Sequence, residues 1–143
     1  MEHRMVNRLK KDLENMQKNY SSQFVVELPN NDLKVWHIHF PGGSGTIYEN
    51  EQFLLQFKFP PEYPIEAPEV LFLGKPPDHE HIYSNGFICL SVLYDGWSAA
   101  MSVASICLSI QSMLASAKQK EKPANDQDLC KRSKGKSPKD FIW

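Results

Sequence analysis

Only three cysteines occur in the 143 residues, Cys89, Cys107 and Cys130, and no two stand at Cys-x-x-Cys spacing. So few, in an odd number, exclude a secreted disulfide framework and point to a reducing compartment. No apolar run approaches the roughly 20 residues that a bilayer span needs, and the polar N-terminus reads as no signal peptide. No membrane partner is expected, and the cytoplasm, the nucleus or both suit the chain. Charge of one sign is also missing. Sixteen Lys and Arg against 17 Asp and Glu leave a net charge of -1, so no basic field is available for nucleic acid, which is not expected as a partner. Glycine is sparse, at seven residues, and its densest run, Gly42-Gly43-Ser44-Gly45, is followed by a strand pattern rather than a helix N-terminus. That excludes a phosphate cradle and leaves a turn. No internal repeat is visible, and the length suits one domain with its own core.

What is present is regular at both ends and irregular in between. Val6, Leu9, Leu13 and Met16 recur at helical spacing, which predicts an amphipathic helix over 3–18. Arg4, Arg8, Lys10, Lys11 and Lys18 lie between them, as a solvated face or as a docking face for an acidic partner. Strand patterns follow at Phe24–Leu28, Val35–Phe40, Phe53–Phe59 and Val70–Leu73. In the second, Trp36, Ile38 and Phe40 alternate with Val35, His37 and His39, which puts both histidines on a wet face. Short links without helices make an antiparallel meander the economical topology. After Pro76-Pro77 no periodicity returns until about residue 100. Long irregular segments inside a domain are usually functional or disordered, and the apolar content here argues against disorder.

Val103, Ile106, Cys107, Ile110, Met113, Leu114 and Ala117 fall on one stripe, a core helix from about 101 to 118 that Ser98 or Ser102 can cap. Cys107 on that stripe is read as an inert buried thiol. The expected division is a core over 1–122 and a polar, lysine-rich, mobile tail over 123–143 with at best a short helix, ending in Phe141-Ile142-Trp143.

The chemistry concentrates between His79 and Trp97, where Cys89 stands in a short apolar run between turns at Ser84-Asn85-Gly86 and Asp95-Gly96. Four uses are open to this thiol. His79, His81 and Cys89 give at most three metal ligands where structural zinc wants four, so no metal is expected. A thiol hydrolase needs a base held by a third group. A thiol that accepts an already activated acyl group needs only an accessible sulfur and some thiolate. A buried apolar thiol is the fourth.

Ser84-Asn85-Gly86-x-Ile88-Cys89-Leu90, with His79 before it and Trp97-Ser98 after it, resembles the active-site signature of ubiquitin-conjugating enzymes. Phe59-Pro60-Pro61-Glu62-Tyr63-Pro64-x-x-x-Pro68 resembles the proline-rich loop after that family's third strand, and the matches run in register to about residue 118. The resemblance implies an α+β ubiquitin-conjugating fold: N-terminal helix, four-stranded antiparallel meander, catalytic loop and core helix. It implies no cofactor. Cys89 is implied as the thioester nucleophile, charged with ubiquitin by an activating enzyme in an ATP-dependent cascade. A ligase of RING or U-box type then assists transfer to a substrate amine. Arg8 and Lys11 on the first helix, Ile65 in the first loop, and Ala99 and Ala100 in the second match surfaces that meet activating enzyme and ligase. His79, Asn85 and Ser91 match positions that support the catalytic loop.

Within the family, His79-Glu80-His81 replaces His-Pro-Asn, so His81 takes the slot whose amide supports the loop and the oxyanion. Ser91 replaces the usual acid two residues after the cysteine, and Gln119-Lys120-Glu121-Lys122-Pro123 replaces the Pro-Asp-Asp context beyond the core helix. By count Glu121 falls at the lysine-orienting acid, but without that context it is not read as catalytic. These departures are similar to the W-type ubiquitin-conjugating enzymes, which attach ubiquitin to the α-amino group of flexible substrate N-termini. Glu80 departs even from that type. Two further expectations stand beside this one: conjugation of another ubiquitin-like modifier, and a non-catalytic scaffold of the same fold.

Overall fold

Period-two alternation builds the sheet. Trp36, Ile38 and Phe40 of strand β2 (Val35–Pro41) are buried, as are Phe53, Leu55 and Phe57 of β3 (Gln52–Lys58), while the residues between them stay half exposed. The computed structural model describes residues 2–141. With β1 (Val25–Glu27) and β4 (Glu69–Leu73), these strands form one antiparallel sheet in the order β1-β2-β3-β4. Ile38 pairs with Leu55 and Leu55 with Phe72, so the register carries one apolar row across three strands. The meander is as expected. His37 and His39 lie on the other face, His37 beside the Gln56 amide at 3.1 Å and His39 beside the Glu27 carboxylate at 2.8 Å.

Three helices complete the α+β fold: α1 (Glu2–Asn19), α2 (Val103–Ala115) and α3 (Asp126–Arg132). Ser102 starts α2 through a reciprocal cap. Its Oγ accepts from the Ser105 N–H at 3.2 Å, and its own N–H donates to Ser105 Oγ at 2.7 Å. Val103, Ile106, Cys107, Ile110 and Leu114 are buried in one core with the sheet's apolar face. Cys107 is inert as expected, because complete burial raises its pKa far above the thiol range.

On α1 the buried stripe is rotated from the expected one. Met5, Leu9 and Met16 are buried with Asp12, whereas Val6 and Leu13 flank them half-buried. Asp12 is tolerated there because its carboxylate accepts from the Tyr63 hydroxyl and from Arg8 Nε at 3.4 Å. Desolvation still dominates and holds this carboxyl above its ordinary range.

The segment expected as a loose tail is folded. Its few apolar residues are well spent: Leu129 of α3 and Phe141 join Tyr83 and Phe87 in a second, smaller apolar cluster. Asp126 and Asp128 in the first turn and Lys131 and Arg132 in the last complement the helix dipole. Lys139 Nζ donates to the Glu66 carboxylate and the Ala67 carbonyl, both at 2.5 Å, and fastens the end of the segment to the loop before β4. Ile142 and Trp143, the rest of the apolar end, lie outside the described residues. Among the described residues, no helix is long and apolar enough to cross a membrane.

Candidate active site

The run from His81 to Cys89 folds back on itself as a small hairpin. Tyr83 N–H donates to the Phe87 carbonyl and Gly86 N–H to the Tyr83 carbonyl, each at 2.9 Å, and Cys89 N–H donates to the His81 carbonyl at 2.8 Å. Ile82 and Ile88 bridge its middle and are wholly buried, which pins the hairpin into the core. Cys89, at its open end, is exposed. An accessible sulfur on a buried support is the arrangement that acyl exchange requires.

Each remaining part of the loop is held by a named group. At the tip, the Asn85 side-chain oxygen accepts from Phe87 N–H at 3.0 Å, and its Nδ2 donates to Ser133 Oγ at 3.2 Å. Gly86 stands at φ +93°, and its carbonyl accepts from Phe72 N–H at 2.9 Å, tying the tip to β4. Ser84 donates its N–H and its hydroxyl to the Asp126 carboxylate, at 2.8 and 2.5 Å, while the Tyr83 hydroxyl donates to Asn125 Oδ1 at 3.0 Å. The Ser84 contacts hold the Asp126 carboxyl below its usual range against the opposing effect of burial. Beyond Cys89 a single 3-10 turn (Ser91–Leu93) follows, and the Ser91 carbonyl accepts from both Tyr94 and Gly96 N–H groups at 2.9 Å. Ser91 itself is exposed and puts a hydroxyl where a carboxylate could stand.

The two histidines divide the work. His79 is buried, and its Nδ1 accepts from His81 N–H at 3.0 Å, which leaves Nε2 as the ring N–H. His81 is half exposed, with its ring 5.5 Å from that of His79 and its Nε2 3.6 Å from the Glu80 carboxylate. Glu80, His81, Lys118 and Glu121 line a groove of about 390 Å³ whose apolar part is Met113 and Ala117. His81 is therefore joined to Cys89 through the backbone and faces the groove with its ring. Among the described residues, no set of three His, Cys, Asp or Glu stands where it could hold a metal ion.

Burial and the neighbouring His81 lower the pKa of His79 from its ordinary 6.5, although the Met113 backbone, Glu80 and Glu121 act the other way. The folded state therefore binds this proton less readily than the unfolded chain. The His79 contribution to stability is complete above about 6.5 and is lost as pH falls through the lowered folded value. Protonated Nδ1 can no longer accept the His81 N–H, a loss of about 1 kcal/mol. Thermal unfolding followed against pH should show wild type losing more stability below pH ~6.5 than a His79→Asn variant, whose amide oxygen accepts the same N–H at any pH.

The remaining candidates gather on a second surface. Ile65, Ala99, Ala100 and Lys11 are exposed, Ile65 at 60 %. Trp97 Nε1 donates to the Pro64 carbonyl at 2.8 Å and joins the loops that carry Ile65 and Ala99. Arg8 is not a free docking cation. Its guanidinium donates to the Ala99 carbonyl at 2.9 Å and to the Met101 carbonyl, and it packs 5.8 Å from the Tyr63 ring centre. It positions the second loop instead, because a planar fork satisfies two carbonyls at once. Missed in the sequence are Asp126, Asn125 and Ser133, which grip the hairpin tip from α3. The acid-first, base-last charge order of residues 126–132 was the available signal.

Comparison with known proteins agrees with this architecture. The family model described as "Ubiquitin-conjugating enzyme" matches residues 8–141. A probable ubiquitin-conjugating enzyme E2 W from Dictyostelium discoideum is 46 % identical over 143 residues, covering 100 % of this chain and 95 % of that protein. Ubiquitin-conjugating enzyme 15 from Arabidopsis thaliana is 48 % identical over 138 residues, 96 % of this chain and 85 % of its own. The crystal structure of the conjugating enzyme UbcA1 from Agrocybe aegerita superposes with a TM-score of 0.85 at 36 % identity, over 93 % of this chain and 96 % of the other.

Proposed function

The chain belongs to the ubiquitin-conjugating enzyme family, and from that premise we propose roles for its own residues. Cys89 accepts the C-terminus of ubiquitin as a thioester from the activating enzyme and passes it, with a ligase, to the α-amino group of a flexible substrate N-terminus. The observation that carries this is the pairing of an exposed Cys89 with a hairpin that is otherwise buried or hydrogen-bonded. Cys107 is buried and Cys130 sits half-buried against Asp126, so neither offers a comparable sulfur.

Transfer breaks the thioester C–S bond and forms a C–N bond. The amine loses its proton, and the Cys89 sulfur leaves as thiolate and takes one up. His81 serves as the donor for the oxyanion of the tetrahedral intermediate, and His79 fixes the backbone on which it stands. Ser91 offers no carboxylate to strip a proton from lysine, so the free-base fraction of the acceptor decides the outcome. At pH 7 an α-amine with a pKa near 7.8 is roughly 14 % neutral and a lysine near 10.4 is about 0.04 %, a ratio of ~350, or about 3.5 kcal/mol. The α-amine's lower basicity returns part of that in nucleophilicity.

Ile65, Lys11, Ala99 and Ala100 form the face for a RING or U-box ligase, with Arg8 shaping it from beneath. Three free cysteines suit a reducing compartment, cytoplasmic or nuclear. Incubation with activating enzyme, ATP and ubiquitin tests the thioester. A DTT-sensitive adduct is expected. No adduct with ubiquitin, or one formed only with another ubiquitin-like modifier, would overturn the proposal.

A further inference from the structure

Charge is unevenly spread along the chain. Residues 118–140 carry eight Lys or Arg against four Asp or Glu, in a protein whose net charge is -1. Half of these cations are already engaged, Lys120 with Glu51, Lys122 with Asp78, Arg132 with Asp128 and Lys139 with Glu66. Lys131, Lys134 and Lys136 are exposed and make no ion pair with a described residue. They stand within three positions of Ser133, whose hydroxyl takes the Asn85 amide at the tip of the catalytic hairpin. With Ser84 also bound to Asp126, the backbone that carries these three lysines is tied to the hairpin that ends in Cys89. Asn85 and Cys89 are four residues apart, so even a fully extended chain could put no more than ~14 Å between them.

We propose that Lys131, Lys134 and Lys136 dock an acidic stretch of the acceptor's N-terminal segment while its first residue reaches the thioester on Cys89. This rests on the α-amine reading above and adds a substrate class to it: flexible N-termini with carboxylates about five to eight residues in, a length of extended chain (~17–28 Å) that covers the distance from Cys89 to the hairpin tip and the reach of a lysine side chain beyond it. A partner at this place must be anionic and must be continuous with the attacking amine, and such a segment meets both needs. Nucleic acid fits less well. Asp126, Asp128 and Asp140 interrupt the cations, and Phe141, the aromatic residue described in this segment, is buried under Arg132 with no face for a base.

The test is single-turnover discharge of the full chain loaded with ubiquitin. The acceptors are lysine-free peptides of about ten residues with a free α-amine, acidic or neutral at positions ~5–8. At low salt the acidic peptide should discharge the enzyme about fivefold faster, and the advantage should vanish near 0.5 M salt, where screening shrinks to a few ångströms. A triple Lys→Glu variant at 131, 134 and 136 should abolish or invert the preference, and a triple Lys→Arg variant should keep it. Equal rates for the two peptides at low salt, or a preference that survives the triple Lys→Glu change, overturns the proposal. The same peptides N-acetylated with lysine at the first position separate the two ideas. Discharge to these alone sinks the α-amine reading yet still reports whether acid is preferred.

Discussion

Replacing Cys89 by serine is expected to give an enzyme that still takes ubiquitin, slowly, but holds it as a DTT-resistant ester. The physical reason lies in the leaving group. A cysteine thiol with a pKa near 8.5 departs readily, whereas an alkoxide is a far stronger base and leaves reluctantly. Discharge to amines should fall by roughly 10³ or more, as removal of a nucleophile on which every later step depends commonly does. Cys107→Ser and Cys130→Ser are the controls. Cys107 lies wholly inside the core and Cys130 is half-buried, its thiol raised by desolvation first and by Asp126 in addition, so loading should survive both changes. Gel analysis with and without DTT reads all three variants.

The second large effect is structural. Gly86→Ala would place a Cβ 2.1 Å from the Phe72 carbonyl oxygen, at a φ of +93° that L-residues rarely adopt. Neither partner can yield cheaply, because both are backbone and the Gly86 carbonyl is itself bonded to Phe72 N–H. Left-handed strain costs about 1–2 kcal/mol and a broken buried hydrogen bond about 1–3 kcal/mol, so a loss of about 2–5 kcal/mol is expected. Thermal unfolding should drop by about 10 °C or more, and the loading rate should fall with it, since the hairpin that presents Cys89 is detached from β4. Gly135→Ala is the comparison. It shares a positive φ, +79°, but has nothing within 4 Å of the added carbon, so it should cost only the strain.

The sheet was legible in the sequence because alternation survives in each strand: Trp36-Ile38-Phe40 and Phe53-Leu55-Phe57 can point only one way. The α2 stripe and its Ser102 cap were legible for the same reason. Asp12 was not. A carboxylate on a buried stripe makes sense only once Tyr63, 51 residues later, supplies its hydroxyl. Residues 123–141 defeated composition in a similar way. Leu129 and Phe141 are too few to signal a core alone, and they become one only against Tyr83 and Phe87 from the hairpin. Arg8 was visible as a surface cation, but its commitment to the Ala99 and Met101 carbonyls depends on contacts more than 90 positions away in the chain. Within the site, Cys89 and the two histidines could be found by motif. The hold of Asp126 and Ser133 on the hairpin tip could not, because a serine turn and a short charged helix carry no mark that they meet.

Discharge of the loaded enzyme to two matched peptides, followed against pH, tests the central claim most directly. One peptide has a free α-amine and no lysine; the other is N-acetylated and carries a single lysine. The α-amine peptide should be faster by at least ~10-fold at pH 7, and the gap should narrow about tenfold per pH unit above ~8, where the α-amine is already neutral and lysine is not. A lysine peptide that discharges Cys89 as fast as the α-amine peptide at pH 7 would contradict the account.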